Sequence, residues 1–141
     1  MKKKAVIVDI DGTISENVTG RPWYGDAKGM LQDKPIETIM DLIRSFVDDY
    51  ELEVLILTGR HKGEEEKATL EWLEKNWFLP DKLYTRDLKD FSKSAEYKRK
   101  VYEEQIEPFY DVLMIFEDSN SCVKMFRDKG LLVLQPQNSD Y

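Results

Sequence analysis

The run Ala5-Val6-Ile7-Val8-Asp9-Ile10-Asp11-Gly12-Thr13 limits the possible folds of this chain more than any other stretch. Four apolar residues, three of them β-branched, predict a buried strand. Two carboxylates follow at alternate positions, then a Gly-Thr turn. In parallel α/β sheets, ligands bind at the carboxyl ends of the strands. An Asp placed there can attack phosphorus while a second Asp moves a proton. The run therefore predicts a metal-dependent phosphatase working through an aspartyl-phosphate.

The rest of the chain alternates strand and helix signals. Strands are expected at 4–8, 52–57, 82–85, 112–116 and 131–134. Pro35 opens a helix whose stripe is Ile36, Ile39, Met40, Ile43, Phe46 and Val47. Glu64, Glu65 and Glu66 open the next, continued by Leu70, Leu73, Trp77 and Phe78. Further helices are expected at about 94–107 and 120–129, the last closed by Gly130. Strands separated by helices give βαβ units and a mostly parallel sheet. Residues 14–34, with Gly20, Pro22, Gly25 and Gly29, predict a flap over the first strand, too short for a cap domain. The polar stretch 135–141 reads as loose.

At 141 residues the expectation is one domain, 1–141. No apolar run is long enough to span a bilayer, so a cytoplasmic protein without membrane contact is expected. The single Cys122 has no cysteine partner and reads as a small packed thiol. A net charge of −7 repels nucleic acid at long range, so such a substrate needs a local basic patch.

Three more groups carry chemistry. Thr58-Gly59-Arg60 follows the apolar strand, and a hydroxyl with free N–H groups at a glycine turn can hold a phosphoryl oxygen. Glu117-Asp118 follows another strand. Carboxylates converging from these strands leave excess negative charge, which a hard divalent cation, Mg2+, would offset. One lysine of Lys98-Arg99-Lys100 can supply a fixed cation, and the helical register favours Lys98 over Lys100. Trp72, Trp77 and Phe78 read as core. His61 reads as a surface residue. Trp23 and Tyr24 either stack on a base or sugar, or pack the flap.

Together these residues resemble the haloacid dehalogenase superfamily of phosphohydrolases. Asp9 to Thr13, Thr58, a lysine and Glu117-Asp118 match its four motifs in order across essentially the whole chain. Gly20-Arg21-Pro22-Trp23-Tyr24, Leu57 to Arg60, Tyr84-Thr85-Arg86 and Tyr97-Lys98-Arg99 are similar to the 3′-phosphatase domain of phage polynucleotide kinase-phosphatase. Glu117, Ser119 and Ala95-Glu96 depart from that family's usual Asp, Arg and acidic residues. No phosphate-loop kinase motif occurs in the sequence.

The resemblance implies a three-layer α/β/α sandwich with strand order 3-2-1-4-5. It implies Asp9 as nucleophile, Asp11 as acid and base, and Thr58 and Lys98 on the phosphoryl oxygens. Arg21, Gly59, Arg60 and Arg86 fall on substrate-binding or architectural positions. Mg2+ would be held by Asp9 and Asp118 through side chains and by Asp11 through its carbonyl. Arg21, Arg86, Lys93 and Lys98 are the expected local positive charge. An uncapped site fits a DNA or RNA 3′ end. A small metabolite such as a mononucleotide or sugar phosphate is the alternative, and a non-catalytic phosphate- or partner-binding module a remote one. Oligomeric state stays open.

Overall fold

The computed structural model describes residues 1–140. Its centre is a five-stranded parallel sheet built from β1 (Lys3–Val8), β4 (Glu53–His61), β5 (Lys82–Arg86), β6 (Tyr110–Phe116) and β7 (Val133–Leu134). The order is β5-β4-β1-β6-β7, which is the expected 3-2-1-4-5 with the Asp9 strand in the middle. The apolar run of β1 is explained by its two faces. Val6 and Val8 enter one core with Met40, Ile43, Trp72 and Leu73, while Ala5 and Ile7 enter the other with Tyr97, Val101, Cys122 and Phe126. A strand buried on both sides needs no polar alternation.

Helices α2 (Glu37–Tyr50) and α3 (Glu64–Lys75) cover the first face. Helices α4 (Ser94–Val101) and α5 (Asn120–Asp128) cover the second. Cys122 is fully buried there, and burial pushes its thiol up, as expected of a packed residue. Among the described residues no helix is long and apolar enough to cross a membrane.

Several expectations are corrected. Pro35 does not open a helix. It pairs with Ser15 in a small ribbon of β2 (Ser15–Glu16) and β3 (Lys34–Pro35), which ties the two ends of the flap together. Between them lies one short helical turn, α1 (Ala27–Met30). The helix expected at 94–107 is α-helical only to Val101, and Tyr102–Ile106 continues as a π-turn. Thr58-Gly59-Arg60 is not a turn. Strand β4 runs on through His61, held by a His61–Arg86 pairing and by Lys62 N donating to Arg86 O at 2.9 Å.

Trp77 is 86% exposed, not core. Helix α3 stops at Asn76, Trp77 takes a left-handed φ of 55°, and the reversal turns Phe78 inward instead. Leu70 also points to solvent. Residues 135–140 are not loose. Ser139 N donates to Asp118 O, and Gln137 Nε2 donates to Gly12 O. Tyr141 lies outside the described residues.

Candidate active site

The pairing of Val8 with Phe116 sets the ends of β1 and β6 side by side. Asp9 and Glu117-Asp118, the next residues, therefore meet without any loop to position them. Carboxylate oxygens of Asp9, Glu117 and Asp118 lie within 4.8 Å of one another, all three residues buried. Lys98 reaches in from α4 and donates to Asp9 Oδ1 at 2.8 Å and Glu117 Oε2 at 2.7 Å. It is 2% exposed, whereas Lys100, two residues on, faces solvent.

The Thr13 hydroxyl sits between Asp9 Oδ2 (2.9 Å) and Asp118 Oδ1 (3.2 Å). Ser119 N donates to Glu117 Oε1 and Ser139 Oγ donates to Asp118 Oδ2 at 2.6 Å. Gly12 has a φ of 83°, and a Cβ there would overlap the Asp118 carboxylate. Only glycine allows both that backbone and that approach.

Burial, with Glu117 alongside, pushes the Asp9 carboxyl well above the usual carboxylate range. Burial raises Glu117 as well. For Lys98 burial works against the charge, but Asp9 and Glu117 outweigh it and hold the ammonium well above its ordinary value. With all three carboxylates ionised, as metal binding requires, they exceed the one ammonium by two negative charges. A divalent cation matches that surplus, and oxygen donors are what a hard ion such as Mg2+ accepts.

Asp11 lies on a different network. Arg60 donates to its carboxylate twice, Nε to Oδ2 at 3.0 Å and Nη2 to Oδ1 at 2.7 Å, and Arg21 Nη2 adds a third bond at 2.9 Å. Both arginines also grip Asp33, Arg21 at 2.9 and 2.6 Å and Arg60 at 3.0 Å. Burial would raise the Asp11 carboxyl, but the Arg60 and Arg21 guanidiniums outweigh it and hold it below the usual range. Thr69 Oγ1 takes the remaining Arg60 nitrogen, and Trp72 Nε1 donates to the Asp33 carbonyl. The flap is thus bolted to the sheet through Arg21 and Asp33.

Asp9, Asp11, Gly59, Arg60, Lys98, Ser94, Trp23 and Tyr24 line one cavity of 280 Å3. Thr58, next to Gly59, is fully buried, its Oγ1 accepting from Arg60 N at 3.2 Å. Arg86 is 3% exposed, lies over the Tyr97 ring at 4.7 Å and leaves Nε and Nη2 without hydrogen-bond partners. A Cβ at Gly59 would come within 3.3 Å of that Nη2, so Gly59 makes room for the guanidinium. The residues expected to supply local positive charge are mostly internal. Arg21, Arg86 and Lys98 are buried, and of that group Lys93 alone faces solvent. His61 is buried too, its Nε2 3.0 Å from the Asp90 carbonyl.

Sequence reasoning did not single out Asp33, Ser94 or Ser139. Thr13 was seen only as part of the turn. Its place in the Asp-Gly-Thr run was a usable signal, whereas nothing in the flap or the tail distinguishes Asp33 or Ser139 from ordinary polar residues.

A family described as the polynucleotide kinase PNKP phosphatase domain matches residues 3–141. A chain in a structure of the Pnkp1/Rnl/Hen1 complex is 28% identical, with a TM-score of 0.90, over 99% of this chain and 48% of that one. A putative bifunctional polynucleotide kinase/RNA ligase of Autographa californica nuclear polyhedrosis virus is 26% identical over 89% of this chain and 18% of its own length. The chain thus spans less than half the length of either relative. A haloacid dehalogenase-like hydrolase from Streptococcus pneumoniae, 14% identical over 94% of this chain and 84% of its own, shares the fold at a TM-score of 0.62. The chain belongs to the PNKP phosphatase domain family, and it is a hydrolase of the haloacid dehalogenase type.

Proposed function

We propose that this chain is an Mg2+-dependent phosphomonoesterase that removes the 3′-phosphate from nucleic-acid ends through an aspartyl-phosphate. The observation that carries the reading is the convergence of Asp9, Asp118 and the Lys98–Glu117 pair at the ends of two adjacent strands. A carboxylate nucleophile attacking a phosphate anion needs positive charge fixed around it, and Lys98 is held there as a cation.

Asp9 attacks phosphorus in line, forming a bond from its carboxylate oxygen as the bond to the ribose 3′-oxygen breaks. Asp11, in the same cavity, protonates that leaving oxygen. A water then attacks the same phosphorus, gives its proton to Asp11 and frees Asp9 with release of inorganic phosphate. The guanidiniums of Arg21 and Arg60 hold Asp11 ionised at rest, the form the second half needs. Arg60 lines the cavity, and sharing its charge with the incoming phosphoryl oxygens in the first half weakens its hold on the ionised Asp11 and lets Asp11 carry a proton there. Lys98 binds a phosphoryl oxygen, and Thr58 with Gly59 supports the opposite wall.

Mg2+ would be held by the side chains of Asp9 and Asp118 and the carbonyl of Asp11. When bound it offsets the repulsion between carboxylate and phosphate. Glu117 has both oxygens engaged, by Lys98 and by Ser119 N, and positions the lysine.

The 3′-end substrate is supported by the family match, by similarity to a chain of an RNA repair complex, and by a cavity to which the 14–34 flap contributes only Trp23 and Tyr24. On this reading the chain acts as one phosphatase domain with that flap as its minimal cap. The test is phosphate release with Mg2+ from an oligonucleotide 3′-phosphate, its 5′-phosphate and a panel of mononucleotides, with Asp9→Asn as control. Preference for the 3′-phosphorylated oligomer is expected. Preference for mononucleotides would keep the chemistry and replace the substrate with a small metabolite.

A further inference from the structure

Beside the cavity stands a row of rings that the chemistry does not use. Tyr24 is 52% exposed and meets His61 edge-on at 5.3 Å, and His61 meets Phe91 at 5.7 Å. Phe91 is 81% exposed and Leu88, on the same loop, 65%. Trp23 and Tyr24 at the near end line the cavity itself. What sets Phe91 apart from the other exposed apolar residues is that it continues the rings lining the cavity through His61.

The row is built, not incidental. His61 is fixed from behind by the Asp90 carbonyl on Nε2. Glu65 accepts from His61 N with one oxygen and from Gly25 N with the other, so one side chain joins the flap to the end of β4. Tyr24, His61 and Phe91 are thereby held in fixed relation to Asp9.

The charge distribution decides what the row can bind. Arg21, Arg60 and Lys98 are buried in ion pairs with Asp11, Asp33, Asp9 and Glu117 at the catalytic end, where their charge serves the terminal phosphate and not the bases behind it. On the loop carrying Phe91, Lys89 and Lys93 are balanced by Asp87 and Asp90. A nucleic-acid strand reaching this cavity meets Arg86, two of whose nitrogens are unpartnered behind Gly59, at the catalytic end, and rings along its outer edge. Base stacking on aromatic side chains suits that surface and tolerates any sequence, because every base has a π-face.

We infer that Trp23, Tyr24 and Phe91 form a stacking ledge for the unpaired bases of a single-stranded 3′ end, the terminal base at Trp23–Tyr24 and the penultimate base at Phe91. This rests on the 3′-phosphatase reading and adds how the strand is recognised. It makes the enzyme selective for chain length and strandedness, not for sequence.

The experiment compares a nucleoside 3′-monophosphate with di- and trinucleotide 3′-phosphates, in DNA and RNA forms, on wild type, Phe91→Ala and Phe91→Trp. In wild type, kcat/KM rises with the second base. Phe91→Ala lowers the ratio of trinucleotide to mononucleotide kcat/KM by about tenfold, and Phe91→Trp keeps it. An abasic penultimate residue causes the same loss in wild type and little further loss in Phe91→Ala. Raising salt from about 50 to 200 mM weakens trinucleotide binding by no more than about threefold, as for a single neutralised phosphate. Equal chain-length gain in wild type and Phe91→Ala overturns the ledge alone, the result expected if a protein covers it. Turnover of p-nitrophenyl phosphate with none of any 3′-phosphorylated oligomer overturns the 3′-end reading, and the ledge with it.

Discussion

Asp9, Glu117 and Asp118 share one ammonium, whereas Asp11 and Asp33 share two guanidiniums. Both halves of the site are buried, and both are stitched by hydrogen bonds. They differ in sum: two negative charges left over in the first, none in the second. The acidic half is complete only with something positive added, which on the proposed reading is the cation that also lets a phosphate approach. The arginine half is complete by itself, and its product is a fixed flap. The acidic half leaves charge for a ligand to resolve, whereas the balanced half fixes the flap and sets the protonation of Asp11.

The largest expected effect lies on the acidic half. Asp9→Asn should lower kcat by roughly 10,000-fold or more in a phosphate-release assay. Residual turnover within about a hundredfold of wild type would remove Asp9 as nucleophile and dissolve the contrast. The same change of carboxylate to amide should act oppositely on folding in the two halves. Asp33→Asn leaves two buried guanidiniums short of a partner and should cost about 3–5 kcal/mol in urea unfolding. Glu117→Gln removes one of two surplus charges and should cost less than about 1 kcal/mol without added metal, because relieved repulsion offsets the weakened hold on Lys98. Equal costs would mean that the surplus is not felt.

Mg2+ sharpens the comparison at intermediate size. At a hundredfold above its Kd it should stabilise wild type by about 2.7 kcal/mol, read as a rise in Tm. Asp118→Asn should abolish the rise, whereas Asp33→Asn, though less stable, should retain it. The smallest effect is in acid. Asp11 is depressed by its guanidiniums, so its contribution is complete above the unfolded carboxyl value of about 4 and is lost as pH falls through the folded value. Asp9 and Glu117 are raised, so without metal their ionisation opposes folding as pH climbs above that value. Asp11→Asn should therefore flatten the acid limb of a urea-midpoint profile. An unchanged limb would detach Asp11 from its arginines.

The two halves were also unequally legible in the sequence. Asp9 and Glu117-Asp118 each follow an apolar run, and a strand end is a place that a one-dimensional pattern can mark. The strand order followed from the family resemblance alone, and Lys98 was favoured by the helical register as well as by that resemblance. Arg21 and Arg60 could be named, but not Asp33, which joins them. The flap has no period, and the partners of a buried charge are set by tertiary contact. For the same reason His61 and Trp77 exchanged places with expectation. Ring spacing shows which face of a helix is apolar, but not where the helix stops, and Trp77 lies just past that point. Phe91 stayed invisible because a lone aromatic in a polar loop carries no pattern.

The stretch from Gln135 to Ser139 gives the acidic half an outward connection. Ser139 accepts from Asn120 N, donates from its own amide to the Asp118 carbonyl, and holds the Asp118 carboxylate through its hydroxyl. Detaching this stretch is a local opening that also unseats Asp118. Hydrogen–deuterium exchange at the Asn120 and Ser139 amides is therefore a clock on the carboxylate, running at the rim of the protein. Whatever grips Asp118 slows that clock, even under conditions where nothing is being hydrolysed.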